Sequence, residues 1–254
     1  MLVLLLFSVF NIAVSISPIK GIVEEIGGKY FSYQVVYPRS ANPHLYEPRP
    51  ADMLKVKKAD LFIYAGRAEP GGTKLCKMAR KCVSLESLIN VDKKADPHVW
   101  LAPGFVKEIA DSLAGLLANI RPQLRDTFKN NARKLSFFID SLLAVSKTKG
   151  KSVILMHGAF KPLFEELGFD VLVISKEPGI EPGARRIKEV SDSLKQKNVV
   201  FGVCEEARPC NAVIILSKRY NFKVITLDPL YDVNFTTFLR EAILKINNAA
   251  NNSN

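Results

Sequence analysis

The chain has 254 residues, which suits one large α/β domain or two lobes of about 100–130 residues each. Its 48% hydrophobic content supports a sizeable core and excludes a disordered chain. The formal net charge is +11, but Lys and Arg scatter through helical stretches such as residues 55–58 and 188–197. They do not cluster with aromatic residues on one face, so no nucleic-acid surface is expected.

Residues 1–10 begin Met1-Leu2-Val3-Leu4-Leu5-Leu6-Phe7, an apolar run of signal-peptide length that is too short to span a bilayer reliably. They are expected to form a signal or anchor segment. No cysteine precedes Cys76, so a lipoprotein-type anchor has no acceptor here.

From residue 11 onward, apolar runs of strand length alternate with amphipathic helical stretches. The first half has candidate strands at 11–16, 33–37 and 61–65. The second half has them at 152–156, 171–174, 199–204 and 223–227. That alternation predicts parallel sheets with right-handed crossovers. Between the halves lies a strand-free region. A helix is expected over 105–119, with Ile109, Leu113, Leu116 and Leu117 on its apolar face, and Arg121-Pro122 ends it. A second helix is expected over 122–148, with Pro122 in its first turn. A helix that long would reach about 40 Å and looks like a spine between two lobes. The expected division is therefore a leader at 1–10, an N-terminal α/β lobe at 11–121, the linking helix at 122–148 and a C-terminal α/β lobe at 149–254. The Asn-rich tail after Ile246 is expected to fray.

The four cysteines fall into two identical spacings, Cys76 with Cys82 and Cys204 with Cys210. Neither is a CxxC pair, so zinc ribbons and thioredoxin chemistry fit poorly. Two close pairs after a secretory start favour local disulfides in an oxidising compartment.

The scarcest chemistry-bearing residue is histidine. All three stand where a strand gives way to a loop: His44 after Asn42-Pro43, His98 after Asp96-Pro97, and His157 after Leu155-Met156. Imidazole is the commonest protein ligand for zinc-like ions, and open α/β sheets gather ligands beyond the carboxyl ends of their strands. A lone histidine of this kind is more often a core or cap residue, but three at strand ends point to one shared site. Gly158 is expected to permit a sharp turn after His157. Asp96 can bond nearby backbone or orient a histidine from behind. Asp228, which ends the strand 223–227, is the candidate fourth ligand, although an Asx turn is its ordinary role. Glu205 is a second candidate, expected behind a ligand rather than on the ion. Glu181 is expected to favour the N-terminus of a helix beginning near Ala184. There is no GxGxxG, Walker loop, GxSxG elbow or zincin HxxxH.

These residues carry a resemblance. Asn42-Pro43-His44-Leu45-Tyr46-Glu47-Pro48, Lys58-Ala59-Asp60-Leu61, Asp96-Pro97-His98-Val99-Trp100-Leu101, Leu155-Met156-His157-Gly158-Ala159-Phe160 and Leu227-Asp228-Pro229-Leu230 occur in that order. Together they resemble the extracytoplasmic solute-binding proteins of zinc and manganese ABC transporters, cluster A-I type, over nearly the whole chain from Asn11. The resemblance implies two α/β lobes, each a mostly parallel sheet flanked by helices, joined by one long spine helix. It also implies that His44, His98, His157 and Asp228 bind one divalent ion between the lobes. A monomer would then deliver that ion to a membrane permease from outside the membrane. The chain departs from the family in having no His-rich loop between Gly66 and Asp96, and in placing Ala102 where an acidic or amide residue is common.

With His157 as third ligand, the set has three nitrogens, which favours Zn²⁺ over Mn²⁺. Binding is expected to weaken as pH falls toward about 6, because ligation needs neutral imidazole. Two alternatives come from other classes. One is a zinc enzyme with water in an open fourth position; the other is a surface adhesin of the same fold stabilised by metal. The receptor reading implies no turnover.

Overall fold

The computed structural model describes residues 9–92, 95–146, 148–175 and 181–251. Most of the expected leader, at 1–8, Lys147 of the expected linking helix and the last three residues of the tail lie outside that set. Among the described residues, no helix is long and apolar enough to cross a membrane.

The chain forms two parallel four-stranded sheets. The first contains β1 (Asn11–Val14), β2 (Ser32–Val35), β3 (Leu61–Tyr64) and β4 (Cys82–Ser84), in the order β2-β1-β3-β4. The second contains β5 (Ser152–Leu155), β6 (Asp170–Val173), β7 (Val199–Glu205) and β8 (Lys223–Leu227), in the order β6-β5-β7-β8. Each thus has the same doubly wound order, and crossover helices cover both faces. The first sheet carries α1 (Ser17–Gly27), α2 (Pro50–Lys58), α3 (Pro70–Cys76) and α4 (Pro103–Ile120). Then come α5 (Arg125–Ala144), α6 (Lys161–Glu166), α7 (Ala184–Leu194), α8 (Asn211–Tyr220) and α9 (Phe235–Asn251).

The long helix is α5. It is shorter than the expected 122–148, because Pro122–Leu124 close a 3-10 turn before the α-helix begins. Its 20 residues span roughly 30 Å. Phe128, Ala132, Leu135 and Ile139 form its buried stripe at 3–4-residue spacing. It packs along α4 and also against α1 and α9. One continuous core runs from Ile12, Ile19 and Leu113 through Phe128 to Phe160, Phe201, Phe235 and Ile246. A smaller cluster, including Ile154, Ile174, Val213 and Leu216, fills the other face of the second sheet.

The tail requires a correction. Residues 247–251 continue α9 instead of fraying, with Ala249 and Ala250 buried and Lys151 Nζ donating to the Ala250 carbonyl at 2.9 Å. Small residues on one helix face let the tail dock despite its Asn-rich composition. Glu25 of α1 accepts from the Thr236 N–H and hydroxyl, satisfying the start of α9.

Glu181 also differs from expectation. Its carboxylate accepts the Asn211 N–H at the first turn of α8, not of α7. The favourable electrostatics are of the expected kind, but the helix served lies 30 residues on. The chain's missing side-chain cap at Ala102 is compensated from the other lobe. Both carboxylate oxygens of Glu166, on α6, accept from Gly104 N at 3.0 and 3.1 Å at the start of α4. Both cysteine pairs are disulfides, with Cα–Cα separations of 5.5 Å for Cys76–Cys82 and 5.7 Å for Cys204–Cys210. Cys82–Ser84 form an edge strand that the sequence pattern does not suggest.

Candidate metal centre

Three loops at the carboxyl edges of the two sheets meet between the lobes. The loop after β2 carries His44, the segment after β4 carries His98, and the end of β5 leads into His157. One ring nitrogen from each lies within 4.8 Å of the other two. The Nε2 atoms of His44 and His98 are 3.0 Å apart. Two ligands on a tetrahedral zinc-sized ion at ~2.0–2.1 Å would stand about 3.3 Å apart, so little movement separates this arrangement from a ligated one.

Each ring is held from behind. Asn42 accepts the His44 N–H at 3.2 Å, an Asx turn that begins the loop's presentation of the ring. The Ala68 carbonyl hydrogen-bonds the His44 ring, and with Nε2 facing His98 this leaves Nδ1 as the donor. Ala68 itself belongs to the turn Gly66–Glu69. There Gly66 has φ +126°, and any Cβ would meet Glu86 at 2.3 Å, so glycine is required. Asp96 Oδ1 receives both the His98 N–H at 2.9 Å and Nδ1 at 2.7 Å. Both roles envisaged for Asp96 are therefore filled by one oxygen. Glu205 Oε1 lies 2.9 Å from His157 Nδ1. Carboxylates and carbonyls in such positions fix the ring tautomer and leave Nε2 free for an ion.

Gly158 does not play the expected role. Its φ is not positive, and a Cβ there would stand 3.6 Å from Asp96, an ordinary contact.

Burial sets the protonation of His44. Desolvation, reinforced by the nearby rings of His98 and His157 and by Arg208, lowers the His44 pKa to about 3. This ring is thus neutral and ready to ligate well below the pH near 6 at which an ordinary histidine would protonate. Burial by itself would raise the Asp96 carboxyl, but its hydrogen bonds and charge interaction with His98 outweigh that and lower it.

Asp228 is placed differently from the histidines. It follows β8 at the same sheet edge, yet among the described residues no carboxylate belongs to the close group of three rings. Its Oδ2 accepts from Arg39 Nη2 and its Oδ1 from Leu230 N, each at 2.8 Å. The next residues, Pro229 and Leu230, do line the small cavity beside the rings, together with Trp100, Glu205 and Arg208. Burial raises the Asp228 carboxyl above its ordinary value, although the Leu230 N–H and Arg39 oppose the rise.

Three further side chains support the site. Trp100 packs edge-on to His98 and donates from Nε1 to the Pro229 carbonyl at 3.0 Å, tying the two lobes beneath the site. Arg208, in the loop closed by Cys204–Cys210, reaches the Ala41 carbonyl near His44 at 3.1 Å. Arg39 holds Asp228. The motif around Trp100 marks that residue, whereas nothing local signals the other two.

A Thermotoga maritima protein named for metal binding is 28% identical over 243 residues, 91% of this chain and 89% of that protein. The high-affinity zinc uptake system protein ZnuA of Yersinia pestis is 25% identical, with 89% of this chain and 86% of that protein covered. A crystal structure of ZnuA superposes with a TM-score of 0.83 at 25% identity, covering 96% of this chain and all of that one. The family model for ZnuA, the periplasmic component A of the zinc-uptake complex, matches residues 12–249, and the chain belongs to that family.

Proposed function

We propose that the protein is an extracytoplasmic receptor that captures one divalent transition metal and delivers it to an ABC permease. Zn²⁺ is the favoured cargo and Mn²⁺ the next. The observation that carries this reading is the convergence of three Nε2-presenting imidazoles, from three separate loops, within 4.8 Å. Three nitrogen donors favour a borderline ion such as Zn²⁺. His44, His98 and His157 hold the ion, and Asp228 completes the set as fourth ligand when its loop turns inward. Asp96 and Glu205 stay behind the rings. The adjoining cavity is about 20 Å³, room for an ion or a water. Two disulfides fit an oxidising compartment, and the protein works there as a monomer.

Metal analysis of the purified protein, followed by competition between Zn²⁺ and Mn²⁺, tests the reading. One equivalent of bound metal, with Zn²⁺ displacing Mn²⁺, is expected. His98→Ala should lower Zn²⁺ affinity by at least a hundredfold. Unchanged stoichiometry and affinity in that variant would refute the assignment.

A further inference from the structure

Arg39 sits five residues before His44 in the loop after β2, on the N-terminal lobe. Its guanidinium crosses to the C-terminal lobe, where Nη2 meets Asp228 Oδ2 at 2.8 Å and Nη1 lies 3.7 Å from Asp232 Oδ2. The other Asp228 oxygen is taken by Leu230 N at 2.8 Å. Each oxygen therefore already accepts one hydrogen bond. Asp228 and Arg39 line a neighbouring cavity of about 210 Å³ rather than the one against the histidines.

We infer that Arg39 is a positioning residue that withholds Asp228 from the metal, and so weakens the grip on the cargo and speeds its release. The inference rests on the proposed assignment of Asp228 as fourth ligand. Arg39 and the ion compete for the same carboxylate. Measured affinity then equals intrinsic affinity multiplied by the fraction of molecules in which Asp228 is free. The Arg39 side chain is 56% exposed and has Asp232 as an alternative partner, so letting go costs little. When the ion departs, the guanidinium recaptures the carboxylate. A receptor that must surrender its metal gains from such a competitor, whereas a permanent structural site would not. If Arg39 merely braced the two lobes in a binding-ready pose, its removal would act in the opposite direction.

The test measures Zn²⁺ affinity by chelator competition and Zn²⁺ dissociation by stopped flow, on the full chain. Four variants are needed: Arg39→Gln, Arg39→Lys, Asp228→Asn and the double variant Arg39→Gln/Asp228→Asn. Thermal unfolding of each metal-free protein confirms the fold. An exposed ion pair of ordinary strength predicts that Arg39→Gln binds Zn²⁺ about two- to fivefold tighter. That gain should appear as slower dissociation, and raising the salt concentration should reduce it. Arg39→Lys should restore behaviour close to wild type. Asp228→Asn should bind more weakly, and in that background Arg39→Gln should have no further effect. Equal or weaker binding by Arg39→Gln, with Asp228→Asn still impaired, would overturn the role of Arg39 and leave the ligand assignment standing. Wild-type affinity in Asp228→Asn would overturn the ligand assignment and the competition together.

Discussion

His157 Nδ1 and Glu205 Oε1 lie 2.9 Å apart although 48 residues separate them in sequence, one two residues past the end of β5 and the other ending the adjacent strand β7. The pairing of those two strands, Val203 opposite Leu155, brings the carboxylate to the ring. His98 receives the same service from Asp96 two residues away, so one ring is oriented by tertiary structure and the other by a local turn. Removing an acceptor behind a metal-bound imidazole typically costs 10- to 100-fold in affinity. Glu205→Ala should therefore weaken Zn²⁺ binding by about that factor, with Glu205→Gln, which keeps an acceptor, losing less. Chelator competition measures both. A loss under threefold in Glu205→Ala would show that the ring needs no support from this side.

The half-buried His44 makes the metal-free protein sensitive to acid. Its folded pKa is lowered to about 3, from an ordinary 6.5. Above pH 6.5 neither state takes up a proton there, so this group adds nothing to pH dependence. Between about 6.5 and 3 the unfolded chain protonates His44 and the folded chain refuses, so stability falls as the pH falls. One such proton corresponds to a slope of ~1.4 kcal/mol per pH unit. Denaturant unfolding across pH 4–7 should show a shallower dependence in His44→Gln than in wild type. Parallel curves would mean that the ring protonates freely in the fold.

The start of α4 offers a separate test of how the lobes are joined. Ala102 supplies no side-chain cap, and Glu166 of the other lobe accepts the Gly104 N–H instead. Loss of an N-terminal cap costs about 1 kcal/mol. Glu166→Ala should destabilise the protein by roughly that amount without altering metal stoichiometry. Ala102→Asp in the same background should restore much of the loss, since the N-cap residue is already extended at φ −99° and ψ 104°. Denaturant melts report both, and failure of the rescue would mean that Glu166 matters through packing rather than capping.

These contacts show where sequence reasoning reaches and where it stops. The doubly wound sheets were legible because alternating strand and helix periods are local patterns. The three histidines were legible because the chain has no others and each follows an apolar run. Asp96 was legible for the same reason, lying within one turn of its partner. The edge strand Cys82–Ser84 was not, since three residues inside a basic, cysteine-flanked stretch carry no period. Nor was the docking of residues 247–251, where Ala249 and Ala250 find a surface that composition cannot reveal. The engagement of Asp228 depends on Arg39, 189 residues away. Glu181 had the right chemistry for a helix N-terminus, but the helix it serves comes close only after β7 has been placed.

A carboxyl group lies buried beneath the His44 loop. Glu69 is fully buried and accepts from Ala65 N at 3.1 Å, closing the turn that presents the Ala68 carbonyl to His44. The Ser15 hydroxyl and the Ala65 N–H both favour its charged form, but burial works against them. Burial raises the Glu69 pKa to about 7. A folded pKa above the unfolded value means that the folded state holds an extra proton between the two. That stabilisation is complete below the unfolded pKa near 4.5 and is lost as the pH rises through 7. Glu69→Gln removes the ionisation while keeping an acceptor for Ala65 N. The variant should thus match wild type near pH 5 and exceed it by roughly 1–3 kcal/mol near pH 8.5. Thermal melts of the metal-free proteins at the two pH values measure the difference. A constant offset between the curves would show that Glu69 stays charged, or stays neutral, across the whole range.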